Sequence, residues 1–214
     1  MIKKNDFIEL DFTGKIISTN EIFDTTIKAD AKSQGFKTQG IKPQTLSVGH
    51  EMLPKGLDSD LIGKEIGKSY ELNLKPEAAF GKRNKDLIRM IPTKHFREQK
   101  IEPIRGMQLE LDGQLVKVLS SDKGRTLIDF NNPLAGKEVH YKYKINKIIT
   151  SQKEKITALQ EFFFRHIFDY EIKEKTIIFK VPKEAENFIK MFSSKFEEIL
   201  GLKVKAEPIK ETKK

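Results

Sequence analysis

The chain has 214 residues, a formal net charge of +9 and no cysteine, which allows one large or several small domains and excludes disulfides, thiolate metal sites and a cysteine nucleophile. It contains no run of about eighteen apolar residues, and this excludes a membrane-spanning helix. The N-terminus lacks the apolar stretch and cleavage site of a secretory signal, and we therefore expect a cytoplasmic protein.

The first part of the chain is predicted to form strands. Residues 7–17 and 22–26 carry apolar side chains at alternate positions, with a polar turn at residues 18–21 between them. Because successive side chains of a strand point to opposite faces, this pattern indicates a sheet with one buried face. Residues 27–44 show little periodicity, and we interpret them as a loop.

One short helix is predicted among these strands. Leu57 and Leu61 are four residues apart, and Gly63 can adopt the left-handed conformation that ends a helix, which limits this helix to two turns. Alternating strands follow at residues 68–74 and 139–149. The prediction for this part of the chain is a half-open antiparallel sheet wrapped on a short helix.

Residues 86–129 are predicted to form a small β domain of their own. Alternating stretches at residues 107–111 and 115–118 are separated by Asp112-Gly113, the strongest short signal for a hairpin. Residues 122–124 mark a second turn before another short strand. The domain enters and leaves the surrounding sequence at one narrow place, which indicates an insertion.

The C-terminal segment, residues 150–214, is predicted to be a compact α+β domain. Apolar residues recur first at helical spacing and then at alternate positions, in the order helix, strand, helix, strand. The predicted elements are residues 156–170, 177–181, 185–200 and 202–206. Residues 210–214 form a charged tail that we expect to be disordered.

Two short motifs that are far apart in the sequence stand out. Residues 75–81 read Lys-Pro-Glu-Ala-Ala-Phe-Gly, and residues 130–137 read Phe-Asn-Asn-Pro-Leu-Ala-Gly-Lys before a long alternating strand. A Phe-Asp pair at residues 23–24 and a Gly-Leu pair at residues 56–57 precede them. In this order the motifs closely resemble the FKBP family of peptidyl-prolyl isomerases, in its SlyD-like and archaeal long-chain form with an inserted domain.

The resemblance implies an α+β, mainly β, protein of three domains. These are an isomerase domain formed by residues 1–85 plus 130–149, an inserted domain at residues 86–129, here called the flap, and the added α+β domain at residues 150–214. In this family the flap holds unfolded segments near the isomerase pocket. The resemblance thus implies an isomerase and folding chaperone whose partners are unfolded or nascent polypeptides with X-Pro bonds.

The implied reaction is rotation about the X-Pro bond. Rotation about a peptide bond has a barrier of about 18–20 kcal/mol because it breaks the amide resonance, and uncatalysed X-Pro isomerisation takes tens to hundreds of seconds. A dry, aromatic-lined pocket destabilises the planar, charge-separated amide relative to the twisted one. This chemistry requires no nucleophile, metal or cofactor, and we predict none.

The resemblance assigns nine residues to the pocket. They lie at positions that match the strands of the family, the start of its short helix and the two motifs. The predicted catalytic residues are Phe12, Phe23, Asp24, Leu46, Leu53, Leu57, Phe80, Leu134 and Tyr141. An aromatic residue on a strand is commonly part of a core, so the assignment depends on the combined order of the motifs.

Two positions depart from the family pattern. Phe80 stands where the family has a tyrosine, so that hydroxyl group is absent. Pro54 stands where the family uses a backbone N–H to hold a bound carbonyl group, and proline has no N–H. The departures put the binding of macrolide inhibitors in doubt and motivate an alternative function, a non-catalytic holdase that binds unfolded peptide.

The flap is predicted to bind its clients through exposed apolar side chains. Such residues are frequent in the stretch that enters the flap and in the residues that follow. The candidate client-binding residues are Leu87, Ile88, Met90, Ile91, Phe96, Ile101 and Ile104. Each of them could equally fill the small core of the flap itself.

The C-terminal segment carries more aromatic residues than one helix face can bury. Phe162, Phe163 and Phe164 are consecutive, and Phe168 follows them closely. The surplus predicts a docking surface. A homodimer contact, packing on the isomerase domain and client binding remain the alternatives for it.

Metal and nucleic-acid sites are not predicted. The histidines are His50, His95, His140 and His166, and no two of them have metal-ligand spacing on a helix. The positive charge is spread along the chain, whereas a nucleic-acid surface usually shows a clustered stripe. We therefore expect no nucleic-acid partner, and a ribosome-associated role is kept as a second alternative on net charge alone.

Overall fold

The computed structural model describes residues 1–111 and 113–209. Within these ranges the elements are β1 (Phe7–Ile16), β2 (Ile22–Thr25), α1 (Lys28–Ser33), β3 (Gln44–Ser47), α2 (Lys55–Asp60), β4 (Ser69–Leu74), β5 (Ile88–Pro92), α3 (Thr93–Glu98), β6 (Gln108–Leu111), β7 (Gln114–Asp122), β8 (Arg125–Asp129), β9 (Val139–Ile148), α4 (Gln152–Phe163), β10 (Tyr170–Lys173), β11 (Thr176–Val181), α5 (Glu186–Met191), α6 (Ser193–Leu200) and β12 (Lys203–Pro208). The predicted α+β, mainly β, fold class is confirmed. None of these helices is long and apolar enough to cross a membrane. The tail predicted at residues 210–214 and Asp112 of the predicted hairpin lie outside the described residues.

The strands form three sheets. The largest has the order β2-β1-β9-β4, with β3 paired antiparallel to β1. The second sheet has the order β5-β8-β7-β6, and the third has the order β10-β11-β12. The chain divides into two compact units: the first comprises Met1–Gly14, Asp24–Leu72 and the chain from Tyr141 onward, and the second comprises Lys15–Phe23 and Asn73–His140. The division into three domains stays a prediction.

The pairing of β1 with β3 organises the core of the first unit. Ile8 of β1 lies opposite Leu46 of β3, and both side chains are completely buried. Fully burying one such side chain contributes about 1.5–3 kcal/mol. A slip of one residue would turn this face to solvent, so the burial of Ile8, Leu10 and Phe12 fixes the register.

The predicted short helix is present as α2. Pro54 precedes it with a φ of −51°, and its carbonyl oxygen accepts the N–H of Asp58 at 3.0 Å. Because proline at a helix start needs no N–H of its own, Pro54 has a structural reason to be at this position. Leu57 and Leu61, the pair that predicted the helix, are both completely buried.

The buried carboxylate of Asp58 fixes the loop before α2. It accepts the N–H groups of Gly49 and Glu51, at 2.8 Å and 2.9 Å. Both residues have positive φ angles, 84° for Gly49 and 57° for Glu51. The two hydrogen bonds offset the cost of this strained backbone and of burying the carboxylate.

The prediction of a loop at residues 27–44 is wrong in part, because Lys28–Ser33 forms the helix α1. Its only buried side chain is that of Ala31, and the Thr13 hydroxyl of β1 donates to the Asp30 carboxylate at 2.5 Å. A helix held by contacts that are distant in sequence leaves no apolar periodicity to detect. Residues 34–43 form neither helix nor strand, as predicted.

The C-terminal segment has the predicted order of elements with two corrections. The first helix, α4, ends at Phe163 instead of Tyr170, because the Gln160 side chain accepts the N–H of Phe168 at 2.8 Å and turns the chain. Tyr170 instead begins β10. The second predicted helix is divided into α5 and α6 at Phe192.

Aromatic rings form the centre of this segment. The ring centroid of Phe164, which is buried, is 5.5 Å from that of Phe179 and 5.5 Å from that of Phe196. Much of the aromatic surplus is therefore used inside the segment. Phe188 and Met191 remain exposed, and the homodimer contact stays a prediction.

The described residues of the flap include the four-stranded sheet and the short helix α3. β6 and β7 form the predicted hairpin, with Leu111 opposite Gln114, whereas β5 and α3 were not predicted. The helix α3 contributes Phe96 to a core that it shares with β7 and β8. The buried members of this core are Phe96, Val116, Val118 and Ile128.

A polar cluster fixes the base of the flap, where the chain enters and leaves it. Arg83 donates to the Asp129 carboxylate at 3.0 Å. The Asn131 side chain accepts the N–H of Asn84, donates to the carbonyl oxygen of Asn84, both at 2.8 Å, and donates to Asp129 at 2.7 Å. Burial raises the pKa of Asp129, but the hydrogen bonds from Asn131 and Arg83 outweigh it, so that the pKa is lowered and the carboxylate stays ionised.

Candidate active site

The nine predicted catalytic residues are divided between the two units. The first unit contains Phe12, Asp24, Leu46, Leu53, Leu57 and Tyr141. The second unit contains Phe23, Phe80 and Leu134. Leu46 and Leu57 are completely buried, so their side chains support neighbouring groups and do not reach solvent.

In the first unit, Phe12 and Tyr141 form an aromatic pair. Phe12 is on β1 and Tyr141 is on β9, and their ring centroids are 6.0 Å apart at an angle of 57°. Both side chains are buried, because each lies at an inward position of its alternating strand. Rings at this distance and tilt attract each other beyond the burial of their surface.

Phe12 and Asp24 also line a common cavity in the first unit. Its volume is about 400 Å³. The remaining lining residues are Glu9, Thr26, Gly40, Lys42, Pro43, Gln44, Thr45 and Glu161. Phe12 is the aromatic residue of a lining that is otherwise mostly polar, so the cavity combines an apolar contact with polar groups that can orient a peptide.

The pKa values of Asp24 and Tyr141 are both raised, and burial is the main cause for each. Asp24 is exposed as a whole residue, yet the protein around its carboxylate raises its pKa by desolvation, and a hydrogen bond with the backbone of Thr25 opposes this only in part. Burial raises the pKa of the Tyr141 hydroxyl, and the negative charge of Asp24 raises it further. Tyr141 is therefore protonated at neutral pH.

Replacing Asp24 by Asn is expected to raise the Tm at pH 7, because the ionised carboxylate destabilises the folded state. The rise should not exceed about 3 °C. A change of about 1 kcal/mol in the free energy of unfolding shifts the Tm of a chain of this size by about 2–4 °C, and the exposed carboxylate keeps part of its hydration. Because the pKa of Asp24 is higher in the folded than in the unfolded state, the protonated carboxyl group stabilises the folded state at pH values below the unfolded pKa. This contribution is lost as the pH rises through the folded-state pKa. The advantage of Asp24→Asn should thus vanish on acidification.

Thermal melts of both proteins between pH 7 and pH 4 test this expectation. Asp58→Asn is the matched control, because Asp58 accepts two backbone hydrogen bonds and its substitution should lower the Tm at pH 7. A lower Tm for Asp24→Asn at pH 7 would contradict the assigned effect of burial on Asp24.

In the second unit, Phe23 and Phe80 form an edge-to-face pair. Their ring centroids are 5.5 Å apart and the rings are nearly perpendicular, at 89°. Both rings are half-buried, so each presents part of its surface to solvent. Phe80 follows a helical turn at Pro76–Ala78, and Gly81 with a φ of 80° reverses the chain directly after it.

The two sequence motifs meet in the second unit. The N–H of Gly136, in the second motif, donates to the carbonyl oxygen of Gly81, in the first motif, at 2.8 Å. Leu134 is half-buried in the same turn, and its N–H donates to the Asn132 side chain at 2.8 Å. This hydrogen bond joins the backbones of two motifs that are far apart in the sequence.

The candidate client-binding residues are in different environments. Phe96 fills the core of the flap, and Ile91 and Ile101 pack against that core. Met90 and Ile104 are 60% and 63% exposed. Leu87 and Ile88 are half-buried.

Leu115 is an exposed apolar residue of the flap that sequence reasoning missed. It is 49% exposed and lines a cleft of about 320 Å³ in the second unit. Val116 and Leu119 of β7 and Pro133 and Ala135 of the second motif line the same cleft. The signal in the sequence was Leu115 directly beside Val116, since one residue of such a pair must face away from the core.

Two of the histidines form hydrogen bonds with asparagine side chains. His50 shares a hydrogen bond of 2.8 Å with Asn5, and His140 shares one of 2.7 Å with Asn73. Among residues 1–111 and 113–209, no group of three or more histidine or acidic side chains could hold a metal ion.

The chain matches the models of two protein families. Residues 1–97 match the family of FKBP-type peptidyl-prolyl cis-trans isomerases. Residues 89–134 match a family described as FKBP26, IF domain. The second match covers most of the flap and the beginning of the second motif.

Several relatives are similar over much of the chain. A short-type peptidyl-prolyl cis-trans isomerase of Methanocaldococcus jannaschii is 28% identical over 156 residues, which are 72% of this chain and 98% of that protein. An FKBP-type 16 kDa peptidyl-prolyl cis-trans isomerase of Escherichia coli is 30% identical over 128 residues, 58% of this chain and 86% of that protein. The FKBP-type isomerase SlyD of Aeromonas hydrophila is 25% identical over 138 residues, 64% of this chain and 59% of that protein.

Proposed function

The chain belongs to the FKBP-type peptidyl-prolyl cis-trans isomerases, and on that premise we propose which of its residues perform the reaction and how its flap takes part. The substrates of such an enzyme are polypeptides that contain X-Pro bonds. Rotation is catalysed by apolar and aromatic surface, and the flap binds the unfolded chain that carries the bond.

The aromatic pairs are proposed to provide the apolar surface for the rotating bond. The half-buried rings of Phe23 and Phe80 and the ring of Phe12, which lines its cavity and packs on Tyr141, hydrogen-bond poorly to an amide carbonyl. Loss of water raises the energy of the planar, charge-separated amide more than that of the twisted amide. Lowering the difference between them by about 1.4 kcal/mol accelerates rotation tenfold.

Asp24 and Tyr141 are proposed to orient the substrate. The Tyr141 hydroxyl keeps its proton at neutral pH, and the Asp24 carboxylate, which lines the cavity beside Phe12, can accept a hydrogen bond from an N–H group of the substrate. Phe80 lacks the hydroxyl group that the family carries at this position, so the polar orientation of the substrate depends more on Tyr141 and Asp24.

One observation carries this proposal. The hydrogen bond between Gly136 and Gly81 joins the two motifs that identify the family, directly beside the Phe23–Phe80 pair. The test is the rate of cis-trans isomerisation of a short proline peptide at increasing concentrations of the full chain. A rate that rises linearly with enzyme supports the proposal, and a rate equal to the uncatalysed one contradicts it.

The flap is proposed to act as the chaperone part of the molecule. It leaves Met90, Ile104 and Leu115 exposed, and Leu115 opens onto the cleft of about 320 Å³. Exposed apolar side chains beside a cleft are a common feature of surfaces that bind apolar peptide segments. The flap core remains stable without them, because Phe96 and its buried neighbours fill it.

Replacing Met90, Ile104 and Leu115 together by Ser is expected to abolish most of the suppression of client aggregation. The activity on a short proline peptide should stay within about twofold of the wild type. The Tm should fall by no more than about 6 °C, since each exposed substitution usually changes stability by less than about 0.5 kcal/mol and about 1 kcal/mol shifts the Tm by about 2–4 °C. Aggregation of a reduced, unfolded protein, followed by light scattering, measures the effect.

Phe96→Ala is the control for damage to the flap core. It should destabilise the flap by about 3–5 kcal/mol, because it leaves a cavity in a buried cluster. Full suppression of aggregation by the triple Ser variant would contradict client binding through these residues.

A further inference from the structure

Helix α4 belongs to the C-terminal segment, yet it reaches the cavity that holds Phe12 and Asp24. Its residue Glu161 lines that cavity together with residues of β1, β3 and the loop before β3. The family reaction does not require a residue from a helix so far along the chain. The position of Glu161 therefore calls for a separate explanation.

The loop at residues 34–43, here called the cavity loop, has little support of its own. It contains Gly35 and Gly40, both with positive φ angles and with open space around them. Near its end, the Lys42 ammonium group donates to the Glu161 carboxylate at 2.7 Å. This ion pair connects the cavity loop to α4 across 119 residues of sequence.

Helix α4 offers a firm anchor for such a contact. It lies against β3, and its residues Ile156 and Leu159 are completely buried. Its first turn is capped by the Ser151 side chain, which accepts the N–H of Glu154. The ammonium group of Lys155 lies 5.3 Å from the ring centroid of Phe7 on β1. Glu161 is consequently carried by a packed element, whereas Lys42 is carried by an exposed loop.

We propose that Lys42 and Glu161 are positioning residues of the isomerase, which hold the cavity loop against α4 and so set the width of the cavity beside Phe12 and Asp24. The proposal rests on the function proposed above for Phe12 and Asp24. It gives the C-terminal segment a direct role in substrate binding. Because neither side chain touches the rotating bond, their loss should weaken substrate binding and leave the chemical step unchanged.

Charge reversal separates this role from a general effect on stability. Glu161→Lys and Lys42→Glu should each raise KM for a proline peptide about 2- to 5-fold, the range expected for an exposed ion pair, with kcat unchanged. The double variant restores opposite charges and should return KM to within about twofold of the wild type. The matched control is Glu65→Lys, because Glu65 and Lys68 form an ion pair of similar exposure, 48% and 62%, that does not line the cavity.

Limited trypsin digestion gives a second readout that does not depend on activity. Lys37 lies in the exposed cavity loop, and Glu161→Lys should increase cleavage after Lys37, measured by mass spectrometry, whereas Glu65→Lys should not. Wild-type KM and wild-type cleavage in Glu161→Lys would overturn the proposal, as would an equal rise of KM in Glu65→Lys. A wild type without isomerase activity would instead contradict the proposed function, and cleavage after Lys37 would still decide whether the ion pair holds the loop.

Discussion

Replacing residues 89–128 by a short Gly-Ser loop is expected to lower kcat/KM for an unfolded protein substrate about 100-fold, because the flap no longer holds the chain at high local concentration. Activity on a short proline peptide, which is too small to need the flap, should change less than about threefold. The replacement is geometrically simple, because Ile88 and Asp129 lie opposite each other at the open end of the β5–β8 ladder.

The cluster at the base of the flap supplies the control for this variant. Arg83, Asp129 and Asn131 are all retained, so their hydrogen bonds should keep the second motif in place. Equal losses on the protein and the peptide would mean that the flap supports the fold of the second unit and does not recruit substrate. No loss on either substrate would contradict its role altogether.

Phe80→Ala is expected to lower kcat/KM about 30-fold on peptide and protein substrates alike. It removes a half-buried ring and the edge-to-face contact with Phe23 at 5.5 Å. Such a loss corresponds to about 2 kcal/mol of transition-state stabilisation, which exceeds the roughly 0.5–1.5 kcal/mol of the ring contact alone because apolar surface is lost as well. The measurement is the isomerisation rate of a proline peptide followed directly.

Phe80→Tyr is the matched variant. It keeps the ring and adds the hydroxyl group that the family carries at this position, so it should retain at least half of the activity. Unchanged activity in Phe80→Ala would remove the Phe23–Phe80 pair from the catalytic proposal and leave Phe12 and Tyr141 as its aromatic part.

The strands of the first unit were predictable because the burial of one face places an apolar residue at every second position of the sequence. Ile8, Leu10 and Phe12 are among the buried residues of β1, and they are the residues whose alternation predicted it. The helix α2 was predictable from Leu57 and Leu61 for the same reason. In each case a local pattern and the tertiary burial agree.

The errors occurred where tertiary contacts decided the structure. The loop prediction missed α1, whose position depends on the bond from Thr13 to Asp30 and not on an apolar stripe. Helical spacing predicted a helix as far as Tyr170, whereas α4 ends at Phe163. The aromatic residues after Phe163 keep this spacing because they pack in a core built from several elements. Spacing alone could not distinguish these two uses of an aromatic residue.

The candidate site was predictable only as far as its motifs reach. The motifs indicated Phe80 and Leu134, and their backbones are joined by the hydrogen bond from Gly136 to Gly81. Glu161 carried no signal, because its partner Lys42 is far away in the sequence and both residues resemble ordinary surface charges. Leu115 was missed because an exposed leucine in a strand resembles a core residue, and only its place beside Val116 indicates that it faces away from the core.

Refolding of a protein whose folding is limited by proline isomerisation tests the central claim most directly. The full chain, Phe80→Ala and the variant with residues 89–128 replaced should each be added in catalytic amounts. We expect the full chain to accelerate refolding and both variants to lose most of the effect. Refolding at the uncatalysed rate with the full chain, while the client stays soluble, would contradict catalysis and leave a holdase that binds unfolded chains.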